Sequence, residues 1–287
     1  MNYAPTCPIS GLGKLLLATD ASEFSEGAIR EAINFTKICA SKLYAMSVVE
    51  VITDYEAFSP QKIEDAMEAG VKSHLESVKT RAKNEGVECE TIISYGEPHQ
   101  SIVDEAEKKN VDMIIVGRRG TKGLKKLLIG EVAAKVIGHA PCKVLVVPRA
   151  AVIRYKNILV ATDGSGHSIA AAEEAVRIAK RCGSSVIALS SIRSNDEIGE
   201  AKANVSKVIE MAQKEGIPAE GITPIGKSYN VIVETAGGRG VDLIVMGIPV
   251  KTAFQKIFTG SATEQVIGNA GCAVLIVKGE DKSPATV

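Results

Sequence analysis

Several residue types are scarce in this sequence. It has no tryptophan, and aromatic residues make up only 4% of the chain, so we do not expect a surface that stacks the bases of single-stranded nucleic acid. Basic and acidic residues are equal in number, 34 of each, so no overall charge favours nucleic acid or an anionic membrane as a partner. The apolar runs are only as long as strands, and Met1–Pro5 has neither the basic region nor the apolar core of a secretion signal. We therefore expect a cytoplasmic protein without a membrane span.

The six cysteines and four histidines lack the spacing of a metal site. No CxxC pair occurs, and the histidines are scattered along the chain, so we expect no metal ligands. Cys39 and Cys182 occupy equivalent places in an internal repeat, as do Cys142 and Cys272, each pair within similar apolar sequence. This favours small buried side chains in reduced form over disulfides.

Familiar catalytic motifs are missing as well. The sequence has no GxxxxGK[ST] phosphate loop and no GxSxG elbow, and no cysteine has an evident activating partner. We expect no catalytic residues, and ATP hydrolysis that is weak or absent.

Short apolar runs rich in β-branched residues alternate with amphipathic segments. The first half predicts strands at 14–20, 43–51, 87–94, 111–116 and 143–148, with helices at 23–40, 61–84, 98–109 and 131–139. Ser22 offers a cap for the first helix. Such alternation predicts a parallel sheet with right-handed crossovers and helices on both faces.

The pattern then begins again. Residues 156–163 repeat residues 14–20 with Ala-Thr-Asp intact, and residues 241–247 repeat the strand that ends at Gly117. The second copy is shorter in its middle, and we assign the difference to a loop after its second strand. The sequence therefore predicts an α/β protein of two tandem, doubly wound, five-stranded parallel-sheet domains, residues 1–150 and 151–287.

A candidate anion site follows the fourth strand. The strand ends in Gly-Arg-Arg-Gly at residues 117–120, and Gly130 precedes a helix that begins at Glu131. Glycine permits positive φ and close approach of a ligand, arginine offers forked donors to phosphate oxygens, and a helix N-terminus favours negative charge. The alternative is that the arginines belong to a solvated loop.

Together these features resemble the universal stress protein family in its tandem form, over nearly the whole chain. The nucleotide-binding branch of that family carries Gly-x2-Gly-x9-Gly followed by Ser or Thr, and the three glycines of the first half match it. The resemblance implies a bound adenine nucleotide (AMP, ADP or ATP, with Mg²⁺ possible beside ATP) that is not turned over quickly. It places around the nucleotide Ala18, Thr19, Asp20, Val48, Gly117, Arg118, Arg119, Gly120, Gly130, Glu131, Val132 and Ala133.

The resemblance implies a second site in the second half, with a departure from the motif. This site comprises Ala161, Thr162, Asp163, Met246, Gly247, Gly260, Ser261, Ala262 and Thr263. Val250 replaces the middle glycine, Pro249 lacks an N–H, and Ser191 stands where the family has an adenine-contacting valine. We expect this loop to have another shape.

The first half departs from the motif at Glu131, which stands where the family has Ser or Thr. Repulsion between unit charges about 4 Å apart is roughly 1 to 4 kcal/mol at dielectrics of 80 to 20, so AMP or ADP is expected in preference to ATP. The alternative is that Glu131 only complements the helix dipole. Likewise, Asp20 and Asp163 either contact the ligand or cap the turn after the first strand.

Three functions follow from these alternatives. The first is an adenine-nucleotide-binding stress or regulatory protein, in which the nucleotide is ligand or signal. The second is a dimerisation and protein-interaction scaffold with degenerate sites, one defect in each half. The third, an enzyme attacking an α-phosphate, rests on fold analogy alone.

The last strand of each half is apolar throughout, at residues 144–147 and 274–277. An uncovered edge of this kind invites aggregation, so we expect the two strands to pair within the chain. The resemblance also implies a homodimer, with protein partners that the sequence does not name. The segment 55–60 is expected to be either a lid or a surface loop.

Overall fold

The first half alternates strands and helices in the predicted order. This computed structural model describes residues 6–50, 60–119, 129–250 and 261–280, so residues 55–59 of the segment considered as a lid, together with Gly120 and Gly260, lie outside the described residues. The elements of the first half are β1 (Lys14–Ala18), α1 (Glu26–Cys39), β2 (Lys42–Val49), α2 (Pro60–Asn84), β3 (Cys89–Tyr95), α3 (Pro98–Lys109), β4 (Met113–Gly117), α4 (Glu131–His139) and β5 (Lys143–Val147).

The second half repeats this order. Its elements are β6 (Asn157–Ala161), α5 (Gly166–Cys182), β7 (Ser185–Leu189), α6 (Ile198–Lys214), β8 (Ala219–Ile222), α7 (Ser228–Gly238), β9 (Leu243–Pro249), α8 (Ala262–Asn269) and β10 (Ala273–Gly279). The shortening of this copy lies largely in a helix, because α6 has 17 residues and α2 has 25. The assignment of the whole difference to a loop was therefore wrong.

All ten strands belong to one sheet, in the order β3-β2-β1-β4-β5-β10-β9-β6-β7-β8. Neighbours within each half are parallel, and β5 and β10 are antiparallel. The α/β fold with two doubly wound, five-stranded halves is thus confirmed. In each half the strand order reverses between the first and fourth strands, where the carboxyl ends of the strands form a crevice.

The two halves meet at their apolar last strands. Val146 lies opposite Val274, and Leu145 lies opposite Leu275. All four side chains are buried. Each strand therefore covers an edge that the other would leave open.

The core is continuous between the halves on both faces of the sheet. One face packs against α1, α2, α5 and α6, and the other against α3, α4, α7 and α8. Residues of β1 alternate between these faces, with Leu15 and Leu17 on the first and Leu16 on the second. Because both clusters include residues of both halves, separating the halves would expose apolar surface.

The connection between the halves lies along α1. Arg30 donates to the carbonyl of Ala151, and the ring of Phe35 meets the edge of the Tyr155 ring at 84°. A Cβ on Gly27 would lie 2.3 Å from the carbonyl oxygen of Pro148. Glycine is required at position 27 because the chain leaving β5 passes so close to α1.

The first cysteine forms a disulfide that the repeat pattern did not predict. Cys7 is bonded to Cys39 at the end of α1, 32 residues away, so the expectation of reduced thiols was wrong for this pair. The reason is tertiary: Ile9 and Leu12 are buried in the core, and they hold the N-terminal segment against α1.

The other four cysteines, Cys89, Cys142, Cys182 and Cys272, are free thiols as expected. Burial raises the pKa of each to about 11. They therefore remain protonated, weak nucleophiles at neutral pH. In the described part of the chain, no helix has the length and apolar character needed to cross a membrane.

We predict that Cys39→Ser lowers the free energy of unfolding by about 2 to 4 kcal/mol, because the disulfide restricts the unfolded chain. Urea denaturation under non-reducing conditions measures the change. Cys182→Ser, at the equivalent position of the second half, serves as the control and is expected to have a smaller effect. Thiol titration of the unfolded, unreduced wild type should find four thiols, and finding six would contradict the disulfide.

Candidate nucleotide site

The carboxylate of Asp20 organises the turn after β1. Its Oδ1 accepts hydrogen bonds from the backbone N–H of Ser22 at 3.1 Å, from Ser22 Oγ at 2.7 Å and from Ser25 Oγ at 2.8 Å. Ser22 does not cap the helix through its own side chain, and a 3-10 turn at Glu23–Ser25 precedes α1. The side-chain cap that we expected from Ser22 was therefore wrong, and the bonds to Asp20 order the turn that leads into α1.

Asp163 orders the corresponding turn of the second half, where Ser165 itself caps α5 by accepting from the N–H of Ser168 at 3.3 Å. Its Oδ1 accepts from the backbone N–H of Ser165 at 3.1 Å and from Ser165 Oγ at 2.5 Å. Burial alone would raise the pKa of Asp163, but the hydrogen bonds from Ser165 and Ser168 lower it overall. The carboxylate is thus held in its charged form.

Thr19 connects β1 to α2 through His74, a histidine to which the sequence assigns no role. Thr19 is buried, and its Oγ1 lies 2.9 Å from His74 Nε2. The carbonyl of Thr19 accepts from Ser47 Oγ at 2.7 Å. Burial lowers the pKa of His74, although the carboxylates of Glu26 and Asp20 oppose this shift. Spacing could not reveal His74, because its partner is 55 residues away.

Gly117 is required for packing and not for positive φ. It is absent from the described residues with positive φ, and a Cβ there would lie 2.9 Å from the carbonyl oxygen of Phe24. Its counterpart Gly247 is closer still to its neighbour, with 2.0 Å to the carbonyl oxygen of His167. The positive φ that we allowed for this glycine is therefore absent, and the glycine lets the start of the first helix region lie against the end of the fourth strand.

Arg118 donates across the boundary between the halves. Its Nη1 lies 2.7 Å from the carbonyl oxygen of Ala270, at the end of α8. Burial lowers the pKa of Arg118, and Arg119 adds to this effect. Arg118 is therefore neither a solvated loop residue nor directed only at a phosphate, while Arg119 is partly buried beside it.

The start of α4 has no side-chain cap. Gly130 has extended backbone angles, and its N–H donates to the carbonyl of Arg118 at 2.9 Å. Glu131 is exposed over 74% of its side chain and pairs with Lys135 at 2.7 Å. This agrees with the alternative in which Glu131 complements the helix dipole. Val132 is partly buried and Ala133 is buried.

Those of the selected first-half residues that the structure describes lie at one edge of the sheet. Ala18 ends β1, Val48 lies near the end of β2 and Gly117 ends β4, beside the start of α4. Val48 packs partly buried on the face shared with α3 and α4. This is the crevice where the strand order reverses.

The second half closes part of its crevice. Residues 247–249 continue β9 and pair with β10, Gly247 with Val277 and Pro249 with Gly279. Ile248 is only 3% exposed. The expectation that this segment differs in shape from the first-half loop is confirmed for its described part.

The other described second-half residues that we selected differ in burial and in contacts. Ser261 caps α8 by accepting from the N–H of Glu264 at 3.1 Å, and Ser191 Oγ lies 2.6 Å from Ser228 Oγ. Thr162 and Met246 are buried, Ala161 and Thr263 are partly buried, and Ala262 is exposed.

A sequence model described as the universal stress protein family matches residues 11–148 and again residues 154–278. The chain belongs to the universal stress protein family. Universal stress proteins of Methanocaldococcus jannaschii and Synechocystis are 37% and 32% identical over 144 and 151 residues, which cover 47% and 48% of this chain and 82% and 98% of those proteins. Each thus corresponds to about one half of this tandem protein.

Solved universal stress proteins share the fold. The structure of one from Archaeoglobus fulgidus has a TM-score of 0.76 at 22% identity and covers 93% of this chain and 99% of its own. Another, described as a complex with cAMP, covers 49% of this chain and 100% of its own at 22% identity, with a TM-score of 0.41. The Archaeoglobus structure establishes that both halves have the universal stress protein architecture.

In this universal stress protein, we predict that Gly247→Ala lowers the free energy of unfolding by about 3 kcal/mol and Gly117→Ala by about 1 kcal/mol, because each added Cβ meets backbone atoms. Thermal and urea denaturation measure both changes. Gly138→Ala in α4 is the control: nothing lies within 4 Å of its Cβ position, so it should stabilise the helix by roughly 0.5 to 1 kcal/mol. Unchanged stability of Gly117→Ala would refute the packing role.

We also predict that the stability of the protein falls as pH drops below His74's ordinary pKa of 6.5. The pKa of His74 is lower in the folded state, so the unfolded chain binds more protons below that pH, and this contribution is fully present only above it. His74→Asn, which copies Asn204 of the second half, should flatten the dependence below pH 6.5. Equal pH slopes for wild type and variant would contradict this role.

Proposed function

We propose that the first half binds an adenine nucleotide, AMP or ADP in preference to ATP, as a ligand or signal without fast turnover. The observation that carries the proposal is the start of α4, which has no side-chain cap and is held next to the end of β4 by the bond from the N–H of Gly130 to the carbonyl of Arg118. The first N–H groups of a helix have no partner within the helix, and they suit a phosphate. Val48 and Ala18 supply the apolar surface that a purine ring requires.

The charges around the start of α4 favour a nucleotide with one or two phosphates over a triphosphate. Glu131 lies in the first turn of α4, and Lys135 pairs with it at 2.7 Å while also lying 3.7 Å from Glu97. Arg118 is engaged with Ala270. A triphosphate would approach the carboxylates of Glu131 and Glu97, and Arg118 already donates to a backbone carbonyl.

The geometry of the turn supports binding more than catalysis. One oxygen of Asp20 accepts three hydrogen bonds, and His74 is held by Thr19. Action as a general base would require either group to leave these partners. We also propose that the protein is cytoplasmic and that it forms a homodimer. Sedimentation equilibrium would test the homodimer.

The scaffold function remains the second candidate, and a specific observation favours it for the second half. There, residues 247–249 are part of β9 and Ser261 caps its own helix. The extended strand alters the phosphate-loop side of the motif, while Ser261, a residue type that the motif requires, remains at the start of α8. Under this alternative, neither half retains a nucleotide.

The first experiment separates these candidates. The freshly purified protein is denatured by heat, and the supernatant is compared with AMP, ADP and ATP on an anion-exchange column. We expect close to one AMP or ADP per chain. An empty supernatant, together with no thermal shift at millimolar nucleotide, would favour the scaffold.

We predict that Glu131→Ser strengthens ATP binding about fivefold relative to AMP, because it removes a charge worth about 1 kcal/mol at an exposed position. Isothermal titration calorimetry with both nucleotides measures the ratio. Glu131→Gln is the matched variant, since it removes the charge without adding a hydroxyl. A gain with Ser but none with Gln would show that the missing hydroxyl, and not repulsion, disfavours ATP.

A further inference from the structure

A cavity of about 550 Å³ opens at the carboxyl edge of the second half. It is lined by Arg193 after β7, by Lys227, Ser228 and Tyr229 at the start of α7, and by Ala262 and Gln265 of α8. Its volume lies within the range of small-molecule sites. No acidic side chain of the described residues belongs to its lining.

Two helices begin at this cavity. Lys227 precedes α7 without capping it through its side chain, and Ala262 is the first residue of α8. Both helix starts bring partial positive charge to the same space. Ser228 Oγ lies 2.6 Å from Ser191 Oγ, so hydroxyl groups stand where the first half has the apolar Val48.

The first half has glutamates at the positions equivalent to Arg193 and Lys227. The N–H of Gly96 donates to the carbonyl of Val49, and the N–H of Gly226 donates to that of Ile192. These matching bonds align Arg193 with Glu50, the residue after Val49. They also align Lys227 with Glu97, the residue after Gly96. At these two positions the second half is thus basic where the first half is acidic, although Glu264 lies in the first turn of α8.

Arg193 and Lys227 are the basic residues of the cavity lining, and none of the described lining residues is acidic. Glu197 bonds to the backbone N–H of Arg193, at 2.8 Å, and not to its guanidinium. Arg193 and Lys227 are both exposed, so they can reach a ligand at the mouth of the cavity. On the opposite side, β9 pairs with β10 as far as Pro249, and the motif's phosphate loop cannot form there in its usual shape.

We propose that this cavity binds a small phosphate monoester, with the phosphoryl group between Arg193, Lys227 and the start of α7. The ligand lies with its anionic end toward α7, away from the loop that holds phosphates in the family's motif. Guanidinium, ammonium and helix N–H groups together are a donor set suited to a phosphoryl dianion. The site is separate from the proposed nucleotide site of the first half and goes beyond it.

The test is a titration of ¹⁵N-labelled full-length protein with glycerol 3-phosphate, followed by NMR, with glycerol as the neutral control. We expect the amide signals of Ser228, Tyr229 and Gln265 to shift with the phosphate ester and not with glycerol. The double variant Arg193→Ala, Lys227→Ala should weaken binding about tenfold or more, because two charged contacts are lost. The matched control removes two exposed charges of α6, Lys202→Ala and Lys207→Ala, and should weaken binding less than about twofold at constant ionic strength.

Several outcomes would overturn the proposal. These are no shift at millimolar ester, equal weakening in the two double variants, or shifts confined to residues 131–133 of the first half. Displacement of the ester by AMP that binds the same amides more tightly would also overturn it, because the cavity would then select a purine. In a separate titration with AMP alone, the amide signals of residues 131–133 test the nucleotide proposal. If they do not shift, that proposal fails independently of the phosphate ester result.

Discussion

The antiparallel contact between β5 and β10 is the constraint on which the rest of the structure depends. It turns two five-stranded sheets into one sheet with a continuous core on each face. It also brings the halves close enough for reciprocal polar contacts. Arg118 donates to the carbonyl of Ala270 at the end of α8, and Lys278 donates to the carbonyl of Ala140 at the end of α4. Cations at helix C-termini complement the dipole, so this junction uses an arginine that the motif alone would assign to a phosphate.

The two crevices differ in the length of the strands that border them. In the first half, β4 and β5 stop together at Gly117 and Val147, and the chain leaves the sheet there. In the second half, β10 continues to Gly279 and β9 follows it to Pro249. Residues 247–249 of the second half thus satisfy backbone hydrogen bonds within the sheet. Because the closure comes from the length of the paired strand, substitution of Val250 by glycine would not by itself restore the loop.

Much of the fold could be predicted from the sequence, because its signals are local. The bounds of α3 and α4 match the expected ranges, and the other elements shift by a few residues at their ends. The features that could not be predicted depend on distant partners. Cys7 needs Cys39 at the far end of α1, His74 needs Thr19, and Arg118 needs a carbonyl 152 residues away. Gly117 illustrates the same limit: its position was recognised, but the neighbour that demands glycine, the backbone of Phe24, is seen only in the folded chain.

For the site residues, too, the sequence predicted positions in the chain but not the contacts made there. The turn after β1 could be placed from the repeated Ala-Thr-Asp, yet sequence alone could not decide between a ligand contact and a cap for Asp20. The hydrogen bonds from Ser22 and Ser25 give this carboxylate a structural role whether or not a ligand is present. A site built on such a turn is ordered before binding, and a ligand there does not bear the entropic cost of ordering it. That preorganisation is consistent with the proposed role of a nucleotide as a bound ligand.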